Sequence, residues 1–365
     1  MKRSEYVKFD HNKLVEFATK VFEKLGVPTD DARITADVLV AADLRGIASH
    51  GLARLQRYVN GIKSGMMNPK PNIRVVKETS STARVDGDDG LGQPVSYRAM
   101  KMAIEKAKDT GIGIVTVFNS NHYGIAGYYA MMALEEGLIG ISMTNTYPLV
   151  VPTFGRQSIL GTNPIAVAVP TKEERPFVLD MATSVVPRGK LEVYARHGKE
   201  IPPQWATDEF GNPCTDPSHV LENFKQRKDG GLLPLGGAEE LTGGHKGYGI
   251  SMVVEILSGV LAGANYAIYT YPPGKGSKIG HFFMALDPGV FIDPDEFKSR
   301  MDDLIRTVKN SKKREGYERI YIHGEKEFEA EDDRRKNGVP LYFKVVENME
   351  NIAQELGIQM PQPLG

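Results

Sequence analysis

The stretch Ser49-His50-Gly51-Leu52-Ala53-Arg54, with Tyr58 just beyond it, sets a titratable imidazole and a guanidinium one helical turn apart. An imidazole gives or takes a proton near neutral pH, and an arginine grips a carboxylate through two parallel hydrogen bonds. Together they suit acid/base chemistry next to a substrate carboxylate. The plainer reading is a solvated helix face that happens to carry a histidine.

Leu52, Leu55, Val59 and Ile62 recur at spacings of three and four, which predicts a helix with His50, Arg54 and Tyr58 on the neighbouring stripe. Ser49 has the chemistry of an N-cap, so the first amides of that helix would also attract an anion.

Further polar clusters fall at predicted strand ends and helix starts. Asn119-Ser120-Asn121-His122-Tyr123-Gly124 follows the strand candidate ending at Phe118 and offers a second imidazole. It can also be read as a polar turn. Thr144-Asn145-Thr146-Tyr147-Pro148 and Leu160-Gly161-Thr162-Asn163-Pro164 present hydroxyls, amides and glycine backbone suited to a cofactor carboxamide or phosphate, or to ordinary turns. Asp180, before Met181-Ala182-Thr183, either caps a helix or sets the tautomer of an imidazole. Gly243-Gly244-His245-Lys246-Gly247-Tyr248-Gly249 opens an apolar helix, as a phosphate cradle or a glycine hinge.

The elements that must position these groups are legible as texture. The first 65 residues read as helices: Leu14 to Leu25 form an apolar stripe stopped by Gly26, and a second helix runs from Thr29-Asp30 to about Leu44. From Asn72 onward, short β-rich runs (74–77, 83–85, 113–117, 139–143, 164–169 and 177–180) alternate with predicted helices at 94–110, 124–136, 183–197 and 248–262. Beyond the turn-rich 271–276, a strand pair is expected to flank a helix over 294–311, and 339–356 reads as helix. This alternation predicts an α/β fold with a mixed sheet. A discontinuous helical domain from 1–70 plus 320–365, beside an α/β body over 71–319, follows from the helical character of both ends.

Composition narrows the function. With 365 residues the chain exceeds the size of one simple core. Its 45 basic and 46 acidic residues leave a net charge of −1, which argues against nucleic acid or an anionic membrane as partner. The single cysteine, Cys214, makes neither an internal disulfide nor a thiolate metal site, and Met1 to Asp10 lack the apolar segment of a signal peptide. A soluble cytoplasmic protein is expected. Neither G-x-G-x-x-G, a P-loop, H-E-x-x-H nor G-x-S-x-G occurs, which argues against a Rossmann site, phosphoryl transfer, zinc and a serine hydrolase.

Taken together, the clusters resemble the type 2 malate/L-lactate dehydrogenases, whose relatives act on ureidoglycolate, sulfolactate, diketogulonate and cyclic imines. The resemblance rests on Arg45 to Tyr58, Val85-Asp86-Gly87 with Gly90 to Pro94, Asn119 to Gly124, Gly161 to Pro164, Leu179 to Lys190, Gln204 to Pro217, Leu233 to Gly237 and His245 to Gly263. It implies a non-Rossmann fold and hydride transfer between NAD or NADP and a 2-hydroxy/2-oxo acid, malate favoured. His50 becomes the first choice of acid/base, His122 the second and Asp180 a supporting group. Ser49, Arg54, Tyr58 and Thr162 fall to the substrate. Thr146, Gly161, Thr162, Asn163, Asp180, Met181, Ala182 and Lys246 fall to the cofactor, with its adenosine end near Gly324 and Glu325. No metal is implied, and a homodimer is favoured. A cofactor-free isomerase or lyase, or a binder of small acids, would leave Asp180 and Lys246 without a role.

Overall fold

The computed structural model describes residues 5–364. Its chain begins with strand β1 (Tyr6–Phe9) and helices α1 (His11–Lys24), α2 (Thr29–Leu44) and α3 (Leu55–Lys63). Asp10 accepts a hydrogen bond from the Lys13 amide and so starts α1. Next come β2 (Arg74–Glu78), β3 (Thr82–Asp86), α4 (Gly92–Thr110), β4 (Ile112–Ser120), α5 (Ala126–Met132), β5 (Ile139–Thr144), β6 (Ile165–Val169) and β7 (Phe177–Met181). A smaller lobe carries α6 (Arg188–Arg196), β8 (Ala206–Thr207), α7 (Pro217–Gln226) and β9 (Gly231–Leu232). The chain returns through α8 (Gly244–Glu255), β10 (Ile279–Leu286), α9 (Pro294–Asn310), α10 (Glu325–Asn337), β11 (Val339–Tyr342) and α11 (Phe343–Leu356).

The main sheet has seven strands in the order β2-β3-β4-β10-β5-β6-β7, mixed as expected. Its parallel pair is β3 with β4, and every other neighbouring pair is antiparallel. Alternate residues of β4, β6 and β10, among them Val115, Val117, Ala166, Ala168, Phe283 and Ala285, pack against α4 and α5 on one face. Met143, Phe282 and Ile141 meet Val254 and Leu257 on the other. The chain ends come together: β1 pairs with β11, and α1, α2, α3 and α11 share one core around Leu14, Phe22, Leu39, Tyr58, Met349 and Ile352.

Several elements depart from the sequence reading, beginning with β1, a strand inside the stretch expected to be helical. The helix expected over 183–197 starts only at Arg188, because Pro187 holds extended backbone at its N-cap. The helix expected from Tyr248 begins earlier, at Gly244, and ends in a wider π-helical turn at Ile256–Val260. No local strand pair flanks α9: β10 inserts between β4 and β5, while Val339–Tyr342 forms β11 rather than the start of a helix. Those pairings are long-range, so local periodicity carries no trace of them.

Candidate active site

His50 and His122 arrive from separate elements and stack, ring centroids 5.6 Å apart at 18°. His50 lies in the turn between α2 and α3, with its Nδ1 2.9 Å from the Ser49 hydroxyl. That turn is built differently from the expectation. A short 3-10 segment, Leu52–Arg54, precedes α3, and Ser49 does not cap it. The Leu52 amide donates to the Asp43 carboxylate at 2.7 Å and the Arg54 amide to the Gly51 carbonyl at 2.9 Å, so these two amides are already taken. Gly51 is required because a Cβ would fall 2.1 Å from Asp43 Oδ1. Burial pushes Asp43 up to about 7, against the opposing Leu52 amide and Arg334 charge.

His122 is placed by its own motif, one residue at a time. Asn119 takes a positive φ of 51° and donates to Asp86 at 3.1 Å. Ser120 reaches His281 Nε2 at 2.7 Å. The buried Asn121 amide donates to the Asp89 and Gly90 carbonyls and accepts from the Ser277 amide. Tyr123 stacks on His281, centroids 4.7 Å apart. The His122 Nδ1 lies 2.6 Å from the Tyr58 hydroxyl and also faces the Gly124 amide, which can only donate. Nδ1 is therefore the acceptor, and Nε2 carries the proton toward the cleft.

Burial, then the charges of Arg54 and Arg57, push His50 down to about 4. Burial and the same guanidinium pair, Arg57 ahead of Arg54, with His50 between them in effect, hold His122 well below the usual imidazole range. Both rings are neutral at pH 7 in the free protein. Arg54 donates from Nε to the Ser49 carbonyl at 2.6 Å, and its Nη2 lies 4.0 Å from Glu192 of α6. Its outer fork stays part-exposed beside His50.

The other predicted residues divide into lining and scaffold. Asp180 is the penultimate residue of β7, the edge strand, and accepts from the Gly127 amide at 2.8 Å where α5 begins. The residue is open on one side, yet the protein around its carboxyl pushes it up to about 6. Asp180, Met181 and Gly324 line a recess of about 370 Å³ with Arg45, Ile47 and Gly127. Arg45 and Ile47 precede the His50 turn along the chain, and Gly127 follows the His122 loop, so the recess is bounded by segments that adjoin both imidazoles in sequence. The Thr146 hydroxyl accepts from the Thr162 amide at 2.9 Å and lies 3.3 Å from the Thr162 hydroxyl, both part-exposed next to Ala182.

Three expectations change. Asn163 turns its amide inward to Glu255 at 2.7 Å, a carboxylate that also takes Asn145 at 3.0 Å and the Ala267 amide at 2.8 Å. Asn163 therefore shapes the Gly161 loop from behind. Gly161 itself is packed so tightly that a Cβ would lie 2.2 Å from the Thr146 hydroxyl. The Glu325 carboxylate is held by Lys309 at 2.8 Å and Arg319 at 3.3 Å, leaving Gly324 on the recess. The glycines around Lys246 serve packing: a Cβ on Gly244 or Gly247 would strike the 235–237 backbone at 2.1 Å. Lys246 lies exposed on α8 with no hydrogen bond or ion pair to His50, His122 or Asp180 among the described residues.

Sequence reasoning passed over Arg57, His281, Glu192 and Glu255. The signal for Glu255 was present, since a lone carboxylate in an apolar helix needs buried donors. His281 had no such signal, because its partners Ser120 and Thr144 lie on strands far away in sequence.

A sheet of this kind, with two neutral stacked imidazoles beside a guanidinium and an open recess, has the makings of a dehydrogenase for small acids. The chain belongs to the malate/L-lactate dehydrogenase family, whose model matches residues 9–350. It is 56% identical over 355 residues to the malate dehydrogenase of Pyrococcus horikoshii, covering 97% of each chain. Against the L-sulfolactate dehydrogenase of Methanocaldococcus jannaschii it is 43% identical, over 93% of this chain and 94% of the relative. The crystal structure of malate dehydrogenase from Entamoeba histolytica superposes with a TM-score of 0.94 at 42% identity, over 98% of this chain and 100% of that one.

Proposed function

We propose that this chain is an NAD(P)-dependent malate dehydrogenase, interconverting malate and oxaloacetate, with other short 2-oxo acids as poorer substrates. The observation that carries the reading is the stacked His50 and His122 pair with Arg54 at its side. The dinucleotide fits the residues present. Asp180, Met181 and Gly324 supply a recess of about 370 Å³, and the part-exposed hydroxyls of Thr146 and Thr162 offer further polar contacts. Nicotinamide, when bound, gives or takes the hydride at the substrate C2.

The residues of the chain do the rest. Arg54 takes the C1 carboxylate in a fork and thereby sets the orientation of C2. His50 gives its proton to the oxygen on C2 as reduction proceeds and takes it back on oxidation. Tyr58 fixes the ring of His122, which faces the same cleft as the second proton carrier.

The pH dependence follows from the low imidazole values. Hydroxy-acid oxidation needs a neutral base, which is already present, so kcat/KM for malate should stay level from about pH 8 down to about pH 5. Reduction needs the protonated ring, so kcat/KM for oxaloacetate should climb as pH falls through that window, toward the His50 value of about 4. A plateau in the reduction profile below an inflection near the ordinary imidazole value would contradict this assignment.

A homodimer accompanies this reading. A compact chain of 40.2 kDa is expected to expose roughly 14,500 Å², whereas this one exposes 17,668 Å². One apolar patch stands out: Ile250, Val253, Ile256, Val260 and Leu261 are exposed along α8, its π turn and the residue after it. A second copy covering that face would also shelter Lys246. Sedimentation velocity at micromolar concentration should return twice the chain mass, and a monomer would remove the dimer from the proposal.

The activity test is oxidation of NADH and of NADPH at 340 nm with oxaloacetate, pyruvate and a cyclic imine. Turnover with oxaloacetate ahead of the others supports the reading and decides the coenzyme. No turnover with any of them would overturn it.

A further inference from the structure

Arg57 is the charged group near the imidazoles that the mechanism leaves unused. It sits on α3 three residues after Arg54, a spacing that puts two side chains on adjoining parts of one helix face. Its side chain is partly buried, yet it takes part in no ion pair among the described residues. The usual rule is seen at Arg45, which is 5% exposed, pairs with Glu331 at 3.2 Å and lies over the Phe328 ring. Arg57 instead donates from Nη2 to the Tyr271 hydroxyl at 3.0 Å, with its guanidinium carbon 5.7 Å from that ring. A neutral phenol leaves the charge unbalanced and most of the donor fork open.

The phenol is held there at some cost. Tyr271 adopts a positive φ of 54°, in the left-handed region that non-glycine residues rarely occupy, and its ring meets Tyr147 edge-on at 5.3 Å. Strain of this sort is kept where the placement of a side chain matters. It also accounts for the Tyr-Pro-Pro-Gly turn, which the catalytic chemistry does not use. Arg57 precedes Tyr58 on α3, and the Tyr58 hydroxyl lies 2.6 Å from His122 Nδ1, so this turn of the helix borders the imidazoles.

We propose that Arg57, aimed by Tyr271, is a specificity residue that binds the second acidic group of a dianionic 2-oxo acid while Arg54 binds the first. The proposal rests on the reading of the site given above. It names the substrate class as 2-oxo acids carrying a carboxylate or sulfonate one or two carbons beyond C2. Acids with an apolar tail leave a buried cation uncompensated and are bound less well.

The test compares kcat/KM for oxaloacetate and for the 3-sulfo analogue of pyruvate with that for pyruvate and 2-oxobutyrate. Arg57→Gln should lower the first two by roughly 10–100-fold and leave the last two unchanged or raised. Arg57→Lys should keep part of the preference, since it keeps the charge but not the fork. Tyr271→Phe should raise KM for the dianions with kcat intact. Calorimetric titration of malate against lactate gives the same comparison without turnover. An equal fall for both substrate classes in Arg57→Gln would overturn the proposal and leave the dehydrogenase reading in place. Should that variant not fold, an unchanged dianion preference in Tyr271→Phe would overturn it instead. A wild-type protein that reduces no 2-oxo acid would remove the underlying reading and the proposal with it.

Discussion

His50→Ala is expected to lower turnover by roughly 100- to 10,000-fold, the range that a general acid or base contributes, with nucleotide affinity nearly intact. The reason is local. His50 touches the Ser49 hydroxyl and the His122 ring, and neither it nor Ser49 lines the recess around Asp180, Met181 and Gly324. Steady-state assay gives the first quantity, and nicotinamide fluorescence titration gives the second. Turnover close to wild type would move the proton-transfer role to His122. His122→Ala then becomes decisive, and Tyr58→Phe helps to interpret it. Removing the hydroxyl leaves the His122 ring, with the Gly124 amide still at Nδ1, but loosens its orientation, so Tyr58→Phe should act through kcat and less severely than loss of the ring.

Arg54→Lys is expected to raise KM for the 2-oxo acid by roughly 10–100-fold, the size of a lost charge-assisted hydrogen bond, with a smaller effect on kcat. Lysine keeps a positive charge but cannot reproduce both features seen at this position. Nε is tied to the Ser49 carbonyl at 2.6 Å, which aims the outer fork, and the fork presents two parallel donors. The same tie couples Arg54 to the backbone that carries His50, so one turn places both the guanidinium and the imidazole. A variant with normal KM and depressed kcat would show that Arg54 acts only on the transition state.

The legible part of this molecule was the part set by neighbours in sequence. The stripe Leu52, Leu55, Val59 and Ile62 predicted α3, and those residues are buried in the structure. The runs 113–117, 139–143 and 164–169 became β4, β5 and β6 of a mixed sheet. Asn119 to Gly124 was singled out as one cluster, and each of its residues has a separate task in holding His122. The Ser49 cap failed because the competing acceptor, Asp43, comes from the preceding helix and reaches the Leu52 amide first. The family resemblance implies a cofactor contact for Asn163, and only the fold shows that its amide is engaged by Glu255 from behind.

The sequence by itself determined the chemistry on offer: two imidazoles, an arginine one helical turn from the first of them, and strand ends rich in hydroxyls and amides. It also determined which runs would be helix or strand, because periodicity and caps act over a few residues. Only the tertiary structure decided that β10 lies between β4 and β5, and so carries His281 to Ser120 and Thr144 beneath the His122 loop. It decided too that His50 and His122, 72 positions apart, stack face to face. Burial beside Arg54 and Arg57 then keeps both rings neutral. Proton affinity depends on what surrounds a group in space, and for His122 both the stacked His50 ring and the two guanidinium groups arrive from elements far away along the chain.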